Sequence, residues 1–186
     1  STNITNLNNG GVSPQPKVVQ DAFVRFNEMS NEAPSYYMWR ILDKGREPIR
    51  ENLARLAGCD PEEIAINRNT TEALETIIFG LDLKAGDEVV LSKYDYPNMM
   101  NSWKQREKRD GIVLKYVDLD TPMEDDKSIV RRFQDAFTPK TKIVLVTQVI
   151  NYTGQVLPAK AITEAAHKKG IEVIVDGAHA FAHINF

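Results

Sequence analysis

From residue 64 onward the chain alternates between short apolar runs and longer amphipathic stretches, and this alternation constrains its fold more than any other feature. The runs at 64–66, 88–91, 113–117, 143–149 and 173–175 are rich in Val and Ile and show little polar alternation. That is the pattern of strands covered on both faces. Between them, helical periodicity predicts helices near 70–80, 98–108, 127–137 and 158–169. Strand and helix in strict alternation predict an α/β domain built on a mostly parallel sheet.

Upstream of the alternation, Val18, Val19, Ala22, Phe23 and Phe26 have helical spacing. A second helical stretch is predicted over 39–57, with Ile41, Leu42, Ile49, Leu53 and Leu56 as its apolar face and Gly58 as its stop. The first sixteen residues are rich in Asn and Gly and closed by Pro14 and Pro16, so they predict a loop or gate without a regular element. No internal repeat, low-complexity tract or Gly/Ser linker divides the chain.

Composition narrows the partners. With 23 basic and 26 acidic residues scattered along the chain, a formal net charge of -3 and no basic cluster interleaved with aromatics, nucleic acid is not expected to bind. No apolar run has the length of a bilayer span, so no membrane partner is expected. The single cysteine, Cys59, and three histidines supply neither a disulfide framework nor metal-ligand spacing, and no metal site is expected. The acidic run Glu124-Asp125-Asp126 reads as a solvated loop and helix start. The start at Ser1 carries no basic or apolar leader, which favours a cytoplasmic protein, although a mature exported chain has the same look.

Open α/β sheets bind ligands beyond the carboxyl ends of their strands, which directs attention to the residues just after each run. Asp176 ends the run beginning at Glu172 and precedes Gly177, Ala178 and His179. A carboxylate finishing an apolar strand is costly to bury without a cation, and a protonated pyridine nitrogen is one such cation; a cap for the following turn is the other reading. Asn69-Thr70-Thr71-Glu72 opens a helix whose free N–H groups suit a phosphate, or are merely capped by their own side chains. Tyr96 follows the run at 88–91, where its ring could lie on an aromatic ligand or form part of the core or rim. Asn151 follows the run at 143–149, as a donor to a ligand oxygen or as a turn former.

Taken together, Arg68-Asn69-Thr70-Thr71-Glu72, Asn151-Tyr152-Thr153-Gly154 with Pro158, and Val175-Asp176-Gly177-Ala178-His179-Ala180 with His183 resemble consecutive blocks of the class V aminotransferase family. Leu7-Asn8-Asn9-Gly10-Gly11-Val12-Ser13-Pro14 resembles that family's N-terminal segment, so the resemblance covers essentially the whole chain. It implies a fold-type-I, aspartate aminotransferase-like, three-layer large domain, incomplete in this chain. Residues 1–30 would form an active-site-covering segment and first helix, and residues 31–186 the N-terminal part of the large domain that binds pyridoxal 5'-phosphate (PLP).

The resemblance further implies a PLP-dependent enzyme, a transferase or isomerase, that acts on an amino-acid substrate through an α-carbanion, and a homodimer. By position it gives phosphate binding to Thr70 and Thr71, ring stacking to Tyr96, contact with the cofactor oxygen or substrate to Asn151, pairing with the pyridine nitrogen to Asp176, and a place near the phenolic oxygen to His179. Asp176 and His179 are the catalytic candidates. His179, where desulfurases carry Gln, and Tyr96, where they stack His, tilt the resemblance toward the isopenicillin N epimerase-like branch. The alternatives are a cysteine desulfurase or selenocysteine lyase, and a non-catalytic truncated or fold-only relative.

In the family the Schiff-base lysine follows the Asp strand, in a segment beyond Phe186. Lys168 and Lys169 instead close a helix ahead of Gly170. The chain 1–186 by itself is therefore expected to be inactive, and turnover of amino acids by this isolated polypeptide would contradict the reading.

Overall fold

The computed structural model describes residues 4–7, 9–120, 122 and 125–184. Asn8 of the opening motif and Glu124 of the acidic run lie outside the described residues. The chain forms two compact units that part between Ile66 and Asn67.

In the first unit, residues 4–7 and 9–16 carry no regular element, and α1 (Lys17–Glu32) follows. After a short α2 (Pro34–Tyr36), the expected single helix over 39–57 is instead two pieces: a π-helical turn (Tyr37–Leu42) and α3 (Arg46–Ala57). The break falls at 43–45, where the Gly45 N–H bonds back to the carbonyls of Ile41 and Leu42 and closes the turn before α3 begins. Gly58 ends α3 in the left-handed conformation (φ 69°), which glycine adopts without the Cβ clash that penalises other residues. Of the apolar positions expected to form the face of this stretch, Ile41, Ile49 and Leu56 are exposed, and Ala54 is the buried residue of α3.

The expected strand at 64–66 does not form. After the helical turn Pro61–Glu63, the Ile64 carbonyl accepts from Arg50 Nε at 3.0 Å and that of Pro61 accepts from Arg50 Nη2 at 2.6 Å. A guanidinium meets the Ile64 carbonyl where a neighbouring strand would otherwise have to.

The second unit fulfils the alternation. α4 (Thr70–Gly80), β1 (Glu88–Ser92), α5 (Pro97–Asp110), β2 (Val113–Val117), α6 (Asp126–Ala136), β3 (Thr141–Thr147), α7 (Ala159–His167) and β4 (Glu172–Asp176) follow in sequence. Asp125, from the acidic run, caps α6 by accepting from the Ser128 N–H at 2.7 Å. The four strands are parallel, in the order β2-β1-β3-β4. No described helix is long and apolar enough to cross a membrane.

The two-residue period of a strand splits each apolar run between two cores. Val89 and Leu91 point to one face, where with Leu145 and Ile174 they pack against Leu74 and Ile78 of α4 and Met99 and Trp103 of α5. Val90, Val144 and Val146 point to the other, against Ile129 and Phe133 of α6 and Ile162, Ala165 and Ala166 of α7. Three layers result. β1 and β3 are buried almost throughout, whereas the edge strands β2 and β4 mix buried, half-buried and exposed residues.

Strand order fixes where a ligand could sit. From β1 the chain crosses to β2 on one side, then passes back over β1 to β3 and on to β4. Right-handed crossovers in opposite directions place α5 on one face and α6 and α7 on the other. The loops after β1 and β3 therefore diverge, and the crevice between them is the topological switch point where such sheets bind ligands.

Phe133, which is fully buried, anchors the α6–α7 core. Phe133→Ala is expected to lower unfolding stability by about 3–5 kcal/mol, measured by urea denaturation of the full-length protein.

Candidate active site

Each strand delivers its last residues to the same edge of the sheet. Pairing in register sets Thr147 beside Asp176, and the Gln148 N–H donates to the Asp176 carbonyl at 2.9 Å. β1 ends one strand away at Ser92, and its turn carries Asp95 and Tyr96 into α5. The candidates after β1, β3 and β4 thus share one edge. Thr70 and Thr71 reach it by another route: α4 leads through 81–87 into the start of β1, so it runs antiparallel to that strand and directs its N-terminus toward the strand's carboxyl end.

A second helix confirms that direction. Ser102 of α5 donates to Glu75 of α4 at 2.8 Å, and further along both helices Arg106 donates to the carbonyls of Ile78 and Leu81. α4 and α5 therefore run parallel, with their N-termini together. Between them opens a cleft of about 630 Å³, lined by Asn69, Thr71, Glu72 and Asn98 among others.

At the start of α4, Asn69 Oδ1 accepts from the Glu72 N–H at 2.9 Å, so Asn69 is the cap. Glu72 turns back to Arg68, accepting from its N–H and its guanidinium, and these bonds hold the Glu72 carboxyl below its ordinary value. Neither the Thr70 nor the Thr71 side chain hydrogen bonds to another described residue, and Thr70 is exposed while Thr71 is half-buried. The cap reading of this motif holds on Asn69, which leaves the Thr70 and Thr71 hydroxyls without a hydrogen bond to another described residue.

Asp176 is 4% exposed. One of its oxygens accepts from the Ala178 N–H at 3.0 Å, the turn cap that its sequence position allowed. Among the described residues, no donor reaches its other oxygen and no cation pairs with it. Tyr96 is partly exposed at the head of α5, and its carbonyl accepts from the Met100 N–H. Asn151 and His179 are half-buried, and their side chains make no hydrogen bond within the described residues. No hydrogen bond links Thr70, Thr71, Tyr96, Asn151, Asp176 and His179 to one another.

A further acid completes the edge. Asp95 is fully buried, one oxygen accepting from Thr147 Oγ1 and the other from the Ser92 N–H, both at 2.7 Å. Burial pushes its carboxyl from an ordinary 3.8 up to about 7; hydrogen bonding from the Thr147 hydroxyl, the Ser92 N–H and the Thr147 N–H opposes this, and the charge of Asp176 adds to it. Sequence reading passed over Asp95 for its neighbour Tyr96, because Lys93-Tyr94-Asp95 looks like an ordinary polar turn. Its position in the turn after the Val- and Leu-rich β1 was the available signal.

This donor set suits a phosphorylated cationic heterocycle. It offers two buried carboxyls without an ion-pair partner among the described residues, an aromatic residue next to one of them in the chain, and a helix N-terminus with spare hydroxyl and N–H donors.

The chain matches the family described as aminotransferase class-V over residues 5–186. It is 32% identical to the isopenicillin N epimerase of Streptomyces clavuligerus over 95% of this chain and 44% of that protein. It is 28% identical to a probable cysteine desulfurase of Synechocystis sp. over 95% of this chain and 43% of that protein. Among solved structures, a variant of C-DES with glycine covalently linked to its PLP cofactor superposes with a TM-score of 0.83 at 25% identity, over 96% of this chain and 48% of that one. The chain thus spans a little under half the length of the curated relatives named here.

The raised Asp95 value has a thermodynamic sign. Between about pH 4 and pH 7 the folded protein holds a proton on Asp95 that the unfolded chain has released, so stability is greatest at the acid end and declines as pH rises through that window. In cofactor-free protein the decline attributable to Asp95 is expected to be on the order of 4 kcal/mol. Denaturant titrations of wild type and Asp95→Asn across this range should differ in slope, the variant being flatter.

Proposed function

The chain belongs to the aminotransferase class-V family, and on that premise we propose that the protein is a PLP-dependent enzyme acting on an amino-acid substrate, of the isopenicillin N epimerase-like kind. The observation that carries this reading is Asp176: a buried carboxylate with one oxygen on the Ala178 N–H and the other without a donor among the described residues. The free oxygen still meets solvent, since Trp103 Nε1 is the one fully buried side-chain polar atom without a partner among the described residues, yet the mostly buried carboxyl keeps little of its hydration, a penalty of up to several kcal/mol. A ring N–H on the free oxygen removes that penalty.

Each candidate then has a task. Asp176 holds the proton on the ring nitrogen, while Tyr96 covers a ring face from the head of α5. Thr70 and Thr71 supply hydroxyl and N–H donors to the phosphate, assisted by the dipole of α4. Asn151, beyond β3, and His179, in the turn after β4, are placed to donate to the phenolic oxygen or the substrate. When bound, PLP supplies the electron sink for negative charge developing at the substrate's α-carbon. Asp176 makes that sink stronger by keeping the nitrogen cationic. A homodimer is part of the proposal, drawn from the family.

Within the family, His179 and Tyr96 favour the epimerase-like branch, in line with the 32% identity to the Streptomyces clavuligerus enzyme. The second reading, a cysteine desulfurase or selenocysteine lyase, is supported by the likeness to C-DES, described as a cystine C–S lyase, and to the Synechocystis desulfurase. A fold-only relative would have no use for a buried carboxylate left half-satisfied, which counts against the non-catalytic alternative.

Asp176→Asn keeps an oxygen for the Ala178 N–H while removing the charge. In the full-length protein loaded with PLP it is expected to lower turnover of amino acids about 10²–10³-fold. Loss of α-carbon configuration without sulfide release supports the epimerase-like reading, sulfide release from cysteine replaces it with the desulfurase reading, and a variant as fast as wild type overturns the role of Asp176.

A further inference from the structure

The edge that receives the proposed cofactor contains a second acid which that role does not use. Asp95 lies on the turn after β1, is fully buried, and reaches across the switch point to Thr147 at the end of β3. Thr147 is in turn the register partner of Asp176 on β4. A line of contacts therefore runs from the turn that carries Tyr96, through one carboxyl and one hydroxyl, to the strand end that carries Asp176.

The two hydrogen bonds on Asp95 differ in kind. The Ser92 N–H can only donate, so the Asp95 oxygen facing it accepts in either protonation state. The Thr147 hydroxyl can turn, donating to a carboxylate or accepting from a protonated acid. Asp95 can therefore gain or lose a proton without losing either tether. The ionisable groups that act on it from the packed elements are Asp176 from β4, and Tyr116 from β2, whose own hydroxyl is raised by burial first and by the charges of Glu107 and Asp95 next. Lys93 and Asp118 nearby in sequence are paired with each other at 2.5 Å and exposed to solvent.

We propose that Asp95 is a positioning residue of this site that fastens the Tyr96 turn to β3 and carries a proton when Asp176 has no cation, releasing it when a cationic ring nitrogen pairs with Asp176. This rests on the assignment of Asp176 to the ring nitrogen. The charge balance is simple. Asp95 is neutral before binding and ionised afterwards, and the negative charge it gains offsets the positive charge of the ring nitrogen, so the cluster holds the same net charge in both states. The O–H bond of Asp95 breaks, its proton passes to solvent, and the Thr147 hydroxyl turns to donate to the carboxylate left behind. The upward displacement of the Asp95 carboxyl to about 7 places this exchange near neutral pH.

Asp95→Asn separates proton from tether, because its amide oxygen can accept from the Ser92 N–H while its NH₂ donates to Thr147. The test uses full-length cofactor-free protein and PLP itself, with calorimetric titrations near pH 7 in two buffers of different ionisation enthalpy. Wild type is expected to release more protons on binding than Asp95→Asn, by a sizeable fraction of one proton. Infrared difference spectra of wild type, with aspartate isotopically labelled, should show the C=O stretch of a protonated carboxylic acid disappear as PLP binds. That spectrum decides the matter should the variant fail to fold. PLP uptake by wild type with equal proton release in the two proteins, or with no loss of the acid band, overturns this inference alone. Failure of wild type to take up PLP overturns it together with the proposed function.

Discussion

Desolvation of carboxyl groups at one edge of an apolar sheet is the constraint around which the second unit is arranged. Asp95 and Asp176 are both buried where strands rich in Val and Leu end, and no Lys, Arg or His among the described residues forms an ion pair with either. A folded chain tolerates such an arrangement only by neutralising one acid, hydrogen bonding the other, or admitting a cation from outside. The first two devices are present: Asp95 is displaced toward its neutral form, and each acid accepts backbone N–H bonds. The third is the opening that the proposed cofactor fills.

The scaffold explains why the acids meet there. Two crossovers of opposite direction, from β1 to β2 and from β2 back over β1 to β3, divide the helices between the faces and leave the crevice between β1 and β3 free of connecting chain. α4 and α5 then bring their N-termini to the same edge, held parallel by the Ser102–Glu75 bond and by Arg106, a buried guanidinium that satisfies α4 carbonyls. Positive helix ends and negative strand ends thus face one region from different directions. A ligand with an anionic phosphate and a cationic ring has the matching polarity.

Reading the sequence worked best where period and punctuation agreed. All four helices of the second unit and its four strands follow from apolar spacing, with boundaries displaced by only a few residues. It failed where a local apolar pattern lacked a partner. The run at 64–66 has strand composition, yet Arg50 takes the Ile64 carbonyl. The stretch at 39–57 has helical periodicity throughout, yet it breaks at 43–45, and much of its apolar face remains exposed. Among the candidate site residues, the sequence pointed to Asp176 because it closes an apolar strand, to Tyr96 because it lies in the turn after one, and to Thr70 and Thr71 because they open a helix. Asp95 was missed because its burial depends on Thr147, 52 residues away in the chain.

The amino-acid sequence by itself determined the kinds of element, their order, the two-sided burial of β1 and β3, and the family motifs that name Asp176 and its companions. Local periodicity and turn chemistry are enough for those, since they act over a few residues. Tertiary structure alone decided the strand order, the parallel pairing of α4 with α5, and the meeting of Asp95 with Thr147 beside Asp176. Those depend on contacts between distant segments, and the protonation of a buried acid is set by the dielectric and charges that such contacts create.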